Sequence, residues 1–338
     1  MTISTQNAHA PRRDGLVVVI ATGGTIAQSG GRTATTDAAS LIAASGAQGP
    51  LEAIQLFQVT SPNISREHWI TLSQFVQEQL KRNDIKGIVI THGTDTLEET
   101  AFFLDLTVRS DIPVVLVGAM RPSNSSESDG EANLRDGIEL ARSEIARGRG
   151  VLVILNGIVQ AARDVTKRHS SSLDAFDSPN RGVLGYWRQE QHKQLRRLPD
   201  LPLFETPASL PEVPIVYFHV GLSTTSLDYM LDTPPVGLVW AGTGAGSIPD
   251  VYLPALEELG RRGVVVVRTS RTGAGSVERN GEVDDDASGF VAGRDLNPQK
   301  ASILLMLCLN AGLNIAQVQH AFDQCSRHAD EDSGNVSA

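Results

Sequence analysis

The feature that most constrains the fold is a series of short, unbroken apolar runs rich in β-branched residues and bounded by turn residues. Seven of them are read as strands, at residues 16–22, 87–91, 113–119, 150–156, 215–220, 237–240 and 264–269. They do not alternate polar with apolar, as a sheet wetted on one face would. Continuous runs belong to parallel strands covered on both faces. Between most of them the apolar residues recur three or four apart, as in Trp69, Leu72, Phe75, Val76 and Leu80, or Leu97, Ala101, Leu104 and Val108, or Leu134, Ile138, Ala141 and Ile145. Strand–helix alternation predicts an α/β architecture with a doubly wound, mostly parallel sheet, and a smaller α/β domain after it.

The division between the two follows from proline. Pro199, Pro202, Pro207, Pro211 and Pro214 crowd a stretch with neither strand nor helix pattern. Proline at this density blocks helix and stiffens the chain. The predicted organisation is a large domain at 1–194 with four strands, an extended linker at 195–214, and a small domain at 215–338 with three strands and two terminal helices. Asn297 and Pro298 read as the cap and first turn of the first terminal helix. The residues after 327 are polar and are expected to fray. Residues 157–185 lack periodicity, and so long an irregular stretch inside a compact domain is usually functional.

Composition excludes several classes. With 41% hydrophobic and 20% charged residues the chain buries a core and is not globally disordered. None of its apolar runs approaches the ~20 residues of a membrane span, and no membrane association is expected. The first fourteen residues are polar, with no leader pattern, so a cytoplasmic location is expected. Twenty-nine basic against thirty-nine acidic residues give a net charge of −10, which disfavours a nucleic-acid partner. Cys308 and Cys325 are too few for a disulfide framework and are expected as free thiols.

Two strand ends carry the chemistry. The first run closes on Ala21-Thr22-Gly23-Gly24-Thr25-Ile26-Ala27 and the second on Thr91-His92-Gly93-Thr94-Asp95-Thr96. In open α/β sheets ligands bind outside the carboxyl ends of the strands. In both segments a Gly precedes a Thr. Glycine lets the backbone approach a ligand, the Thr offers a hydroxyl, and main-chain N–H groups can stabilise an oxyanion. The plainer reading of each alone is a turn with a capping Thr.

A hydroxyl needs a base. Among the eight histidines only His92 adjoins a motif, and its place directly before Gly93 suits shaping the turn. Lysine is the other candidate: Thr94, Lys167 and Asp95 form a possible nucleophile, base and orienting set, against the alternative that Lys167 is a surface lysine. No zinc-type ligand spacing occurs, and neither metal nor cofactor is expected. The glycine-rich Gly242-Thr243-Gly244-Ala245-Gly246-Ser247 suggests a dinucleotide loop, but no acid ends the following strand.

Taken together, the two signatures at residues 20–27 and 87–97 resemble those of the bacterial-type L-asparaginases. The resemblance extends through residues 98–106, Gly118-Ala119-Met120-Arg121-Pro122, residues 163–167, Glu282-Val283-Asp284-Asp285 and Leu296-Asn297-Pro298-Gln299-Lys300-Ala301. It implies hydrolysis of L-asparagine to L-aspartate and ammonia, or of L-glutamine, through an acyl-enzyme and without a cofactor. It assigns Thr25 as nucleophile and Thr94, Asp95 and Lys167 as the second catalytic set. Gly24 and Gly93 line the substrate, Ser61 holds the α-carboxylate, Asp95 meets the α-amino group, and the Ala119 carbonyl receives the side-chain amide. The N–H near Thr94 belongs to the oxyanion hole. Glu282 is contributed by a neighbouring subunit of a homotetramer, a dimer of dimers, with Ser247 beside it.

The chain departs from the pattern in two places. Residues 28–49, read as the loop after the first strand, contain no Tyr to assist Thr25, and the first Tyr of the chain is Tyr186. After Ser61 stands Pro62, where relatives place a Gln or Glu that touches the α-amino group. The alternatives are an amidase of shifted specificity, a non-catalytic amino-acid-binding homologue, and the related tRNA-dependent amidotransferase subunit, which carries an extra preceding domain.

Overall fold

A computed structural model describes residues 15–24, 26, 36–188 and 195–326. Its first part contains β1 (Leu16–Gly23), α1 (Ala38–Ser45), β2 (Leu51–Val59), α2 (Arg66–Leu80), β3 (Ile85–Thr91), α3 (Leu97–Thr107), β4 (Val114–Val117) and α4 (Gly130–Arg142). Next come β5 (Val151–Leu155), β6 (Ile158–Ala161), β7 (Thr166–Lys167), β8 (Phe176–Asp177) and β9 (Gly185–Tyr186). The second part holds β10 (Ile215–Tyr217), α5 (Thr225–Asp232), β11 (Gly237–Gly242), α6 (Leu253–Arg261), β12 (Val265–Ser270), α7 (Asp285–Ser288), β13 (Val291–Ala292), α8 (Pro298–Asn310) and α9 (Ile315–Ser326).

The large sheet runs β2-β1-β3-β4-β5-β6-β9, parallel from β2 through β5 and antiparallel at β6 and β9. The unbroken apolar runs have the expected cause. Val17 and Val19 join Val89, Val115 and Val117 under α4, while Val18 and Ile20 join Ile88, Ile90 and Leu116 under α2 and α3. Every position of a central strand therefore faces a core. The order reverses at β1, which has β2 on one side and β3 on the other, so the carboxyl ends of β1 and β3 frame the crevice of an open sheet.

The small sheet, β10-β11-β12-β13, is parallel throughout. Its outer face is covered by α5 and α6. Its inner face shares one core with the large sheet's helices: Val239, Val267 and Val291 meet Ile303, Leu304 and Leu307 of α8, which in turn meet Phe102, Phe103 and Leu106 of α3. Asn297 caps α8, its side chain accepting from the Lys300 N–H at 3.0 Å, with Pro298 at the first position, as expected. The free thiols Cys308 and Cys325 lie inside this shared core, and burial pushes both up to about 12. The Pro-rich stretch 195–214 forms neither helix nor strand, yet Leu195, Leu210 and Val213 are buried.

Several expectations are corrected. The large sheet has seven strands rather than four, and the small one has four rather than three, with α5, α6 and α7 besides the terminal helices. Residues 28–49 are not one loop: Asp37 caps α1, accepting from the Ser40 N–H at 2.8 Å, and Gly46 closes it in the left-handed region at φ 68°. Residues 157–185 contain β6, β7, β8 and the start of β9. The tail after 326 lies outside the described residues.

Candidate active site

The two glycine-bearing strand ends meet backbone to backbone. Gly23 and Gly24 have φ of 107° and 87°, in the region that side chains avoid. A Cβ on Gly24 would stand 2.3 Å from the Gly93 nitrogen, and one on Gly23 would stand 2.4 Å from the Val59 carbonyl oxygen. The Thr22 hydroxyl donates to the Thr91 carbonyl at 2.7 Å and ties the ends together. Only glycine permits this crossing. Thr25, next in the chain, lies outside the described residues, as do residues 27–35.

Ser61 is buried beside Gly93, whose Cβ would lie 2.6 Å from the Ser61 Oγ. That Oγ accepts from the Asp95 N–H at 3.2 Å, and the Thr96 hydroxyl donates to the Ser61 carbonyl at 2.8 Å. The Ser61–Asn63 turn is thereby locked to the turn after β3. Pro62 occupies the second position of this turn, and the Asn63 amide donates to the Thr60 hydroxyl at 2.7 Å.

Lys167 is drawn into the same place. Its Nζ donates to the Thr94 Oγ1 at 2.8 Å and to the Asp95 Oδ1 at 2.6 Å. Thr94 is buried, the Lys167 side chain is 14% exposed and that of Asp95 is 61% exposed. The reading of Lys167 as a solvated surface residue is therefore overturned. The arrangement links a buried hydroxyl, a shielded amine and a carboxylate open to ligands, a set able to move a proton on and off an oxygen.

Ala119 is fully buried, and Gly118 before it packs against Thr94, whose Cγ2 would stand 3.0 Å from a Cβ on that glycine. The turn around it is fixed by Asn133, which donates to the Gly118 carbonyl at 3.0 Å, and by Asp129, which accepts from the N–H groups of Met120 at 3.1 Å and Arg121 at 2.9 Å. Sequence reasoning missed these supports. The signal was present: Asn133 precedes Leu134 on the buried stripe of α4, where an amide without a structural task is costly.

Ser247 and Glu282 are brought to each other, the Ser247 Oγ donating to the Glu282 Oε2 at 3.4 Å. No hydrogen bond among the described residues joins this pair to Lys167, Asp95 or Ser61. Beneath the pair, the guanidinium of Arg268 is fully buried. It forms a fork on Asp285 at 2.9 and 2.7 Å and also donates to the carbonyls of Ala245, Gly246 and Glu278. The carbonyls of the glycine-rich loop are thus turned inward onto an arginine rather than arranged around a dinucleotide.

His92 shapes the turn, as expected. It is fully buried, its Nδ1 donating to the Gly93 carbonyl at 2.7 Å. Its Nε2 lies 2.9 Å from the Thr100 hydroxyl, which accepts from the Trp69 indole N–H at 2.9 Å. With both nitrogens engaged it is not a base for either Thr. Burial pushes its pKa down to about 4. An unfolded His takes up a proton near 6.5 that the folded one refuses. The stability it contributes is full above that pH and is lost as pH falls toward 4, to the extent of about 3 kcal/mol. Urea unfolding at pH 7, 6 and 5 should show this fall, and His92→Gln should flatten it. An unchanged slope in the variant would refute the assignment.

Known proteins can be set beside this geometry. Residues 16–199 match the family model for the asparaginase N-terminal domain, and residues 212–322 match that for the glutaminase/asparaginase C-terminal domain. A probable L-asparaginase periplasmic from Haemophilus influenzae is 38% identical, covering 91% of this chain and 92% of that protein. A glutaminase-asparaginase from Pseudomonas fluorescens is 39% identical, over 90% and 89% of the two chains. The crystal structure of a probable cytoplasmic L-asparaginase from Campylobacter jejuni superposes with a TM-score of 0.83 at 37% identity, covering 91% of this chain and 99% of that one. Two family models in chain order, whole-length relatives above one-third identity and a superposable fold establish that the chain belongs to the asparaginase family of amide hydrolases.

Proposed function

We propose that the chain hydrolyses L-asparagine to L-aspartate and ammonia by threonine catalysis through an acyl-enzyme. The observation that carries this reading is the Lys167 Nζ held between the Thr94 hydroxyl and the Asp95 carboxylate at the switch point of the sheet. The Thr25 hydroxyl oxygen attacks the amide carbon. The amide nitrogen leaves as ammonia, taking a proton. A water, deprotonated through Thr94 and Lys167, then attacks the ester, the proton returns to the departing Thr25 oxygen, and aspartate is freed.

Asp95, with its exposed carboxylate, pairs with the substrate ammonium, and the Ser61 hydroxyl takes the α-carboxylate. The Thr94 N–H stabilises the oxyanion, the Ala119 carbonyl accepts from the side-chain amide, and Gly24 and Gly93 let the substrate approach the backbone. Ser247 and the exposed Glu282 complete the site of a neighbouring subunit in a homotetramer. Pro62 supplies no partner for the substrate ammonium, a loss of about 1.5–3 kcal/mol of charge-assisted bonding. The cytoplasmic location expected from the sequence is part of this reading, and the Campylobacter neighbour named cytoplasmic supports it. No helix of the described residues is long and apolar enough to cross a membrane.

The test is ammonia release from L-asparagine and L-glutamine in parallel, with Thr25→Ala and Thr94→Ala as controls. Release from asparagine that disappears in both variants is the expected result. Release from glutamine alone would shift the substrate. Full activity in Thr25→Ala would overturn the nucleophile assignment.

A further inference from the structure

Lys300 lies in the first turn of α8, far along the chain from the catalytic cluster, and is 2% exposed. Its Nζ donates to three carbonyls of one short segment: Ala162 at 3.0 Å, Arg163 at 2.8 Å and Val165 at 2.5 Å. That segment joins β6 to β7 and leads, two residues on, to Lys167. The strand that carries Lys167 is only two residues long and pairs with another of two, so the sheet itself gives it little support.

The rest of the α8 turn grips the same region. The Gln299 amide donates to the Glu98 carboxylate at 2.7 Å, four residues after Thr94, and the Asn297 amide reaches the Thr166 hydroxyl at 3.5 Å. One helix turn from the second part of the chain therefore holds the 162–165 backbone through Lys300 and touches side chains next to Lys167 and at the start of the helix that follows Thr94.

The chemistry suits an ammonium. Three N–H groups meet three carbonyl acceptors, whereas a neutral amine would turn a lone pair on one of them. The Phe102 ring covers the group, its centroid 5.7 Å from the Nζ. Burial pushes Lys300 down to about 8, against the pull of Glu98, Asp164 and Asp105. It thus remains mostly charged at neutral pH.

We infer that Lys300 is a positioning residue for amide hydrolysis, fixing the 162–165 backbone so that the Lys167 amine meets Thr94 and Asp95. This rests on the function proposed above. Misplacing a catalytic group by about 1 Å can cost on the order of 10²-fold in rate. Lys300→Met should therefore lower kcat for ammonia release by about 100-fold and change KM by less than about threefold.

The deciding measurement is a cycle of wild type, Lys167→Met, Lys300→Met and the double variant, each checked for folding by circular dichroism. Because Lys300 acts through Lys167, its removal from the Lys167→Met protein should lower kcat no further. Lys300→Gln, which keeps two N–H donors but not the charge, runs in parallel and is read in place of a Lys300→Met protein that does not fold. A folded Lys300 variant with wild-type kcat, or a loss that multiplies in the double variant, overturns the inference alone. A wild type that releases no ammonia overturns the proposed function and this inference with it.

Discussion

In the Lys167→Met protein, ammonia release from L-asparagine falls by about three orders of magnitude, within the 10²–10⁴-fold range that a positioned proton-transfer group contributes. The size of the effect follows from what Lys167 touches. Its Nζ is the group that joins the buried Thr94 hydroxyl to the exposed Asp95 carboxylate, at 2.8 and 2.6 Å. Methionine keeps the length and the apolar stem but removes every donor and any basic nitrogen. The Thr94 hydroxyl then has no route for its proton, while Ser61 and the Gly24–Gly93 contact remain in place. Stability should change little, because the Lys167–Asp95 pair is partly open to water and exposed pairs contribute at most about 1 kcal/mol. The result to measure is kcat against KM together with the melting temperature. A variant within tenfold of wild-type kcat would remove Lys167 from the catalytic set.

The largest effect on stability is expected from Asp285→Asn, at about 3–5 kcal/mol, the usual cost of leaving one member of a buried ion pair uncompensated. Both side chains of the Arg268–Asp285 pair are fully buried. Asparagine is nearly the same shape, so the loss is one of charge and acceptors rather than of packing. It deprives the Asn280 N–H of its carboxylate as well, a bond of 2.9 Å. Replacing both partners by apolar residues should recover only part of the loss. Arg268 also serves the carbonyls of Ala245, Gly246 and Glu278, and these would stay buried without a donor. Urea unfolding of the single and double variants measures this. A shift below 1 kcal/mol for Asp285→Asn would show that water reaches the pair. The same arginine underlies the loops that carry Ser247 and Glu282, so a destabilised variant should also lose activity if that pair completes a site.

How much of this was legible beforehand depended on burial. The central strands could be read because residues such as Val17 to Ile20 are apolar on both faces, which leaves a continuous signal. The edge strand β2 was missed because its residues are only half buried or exposed, and its pattern is neither continuous nor cleanly alternating. Residues 38–45 read as loop in the sequence although Asp37 and Gly46 are standard helix punctuation, since the segment's small residues carry weak periodicity. In the site, the Gly-Thr turns were legible from residue type and place. Ser61 was found only through family resemblance, for nothing local marks a Ser whose partners are Asp95 and Thr96. Lys300 left no trace of its role. A lysine in the first turn of a helix looks like a solvated residue until the carbonyls of a distant segment are placed around it.

The Lys300 contact also bears on when, during synthesis, the enzyme can first act. Val165 and Lys300 are separated by 135 residues. At about 5–20 residues per second a ribosome needs roughly 7–27 s to cover that distance. Until then the nascent chain carries Thr94 and Lys167 but not the ammonium that seats the segment between them, and the shared core around α8 does not exist. With Lys300 in the positioning role proposed above, the growing polypeptide stays silent toward amides until α8 has emerged, and activity arrives with the second part of the chain rather than with the domain that bears the threonines.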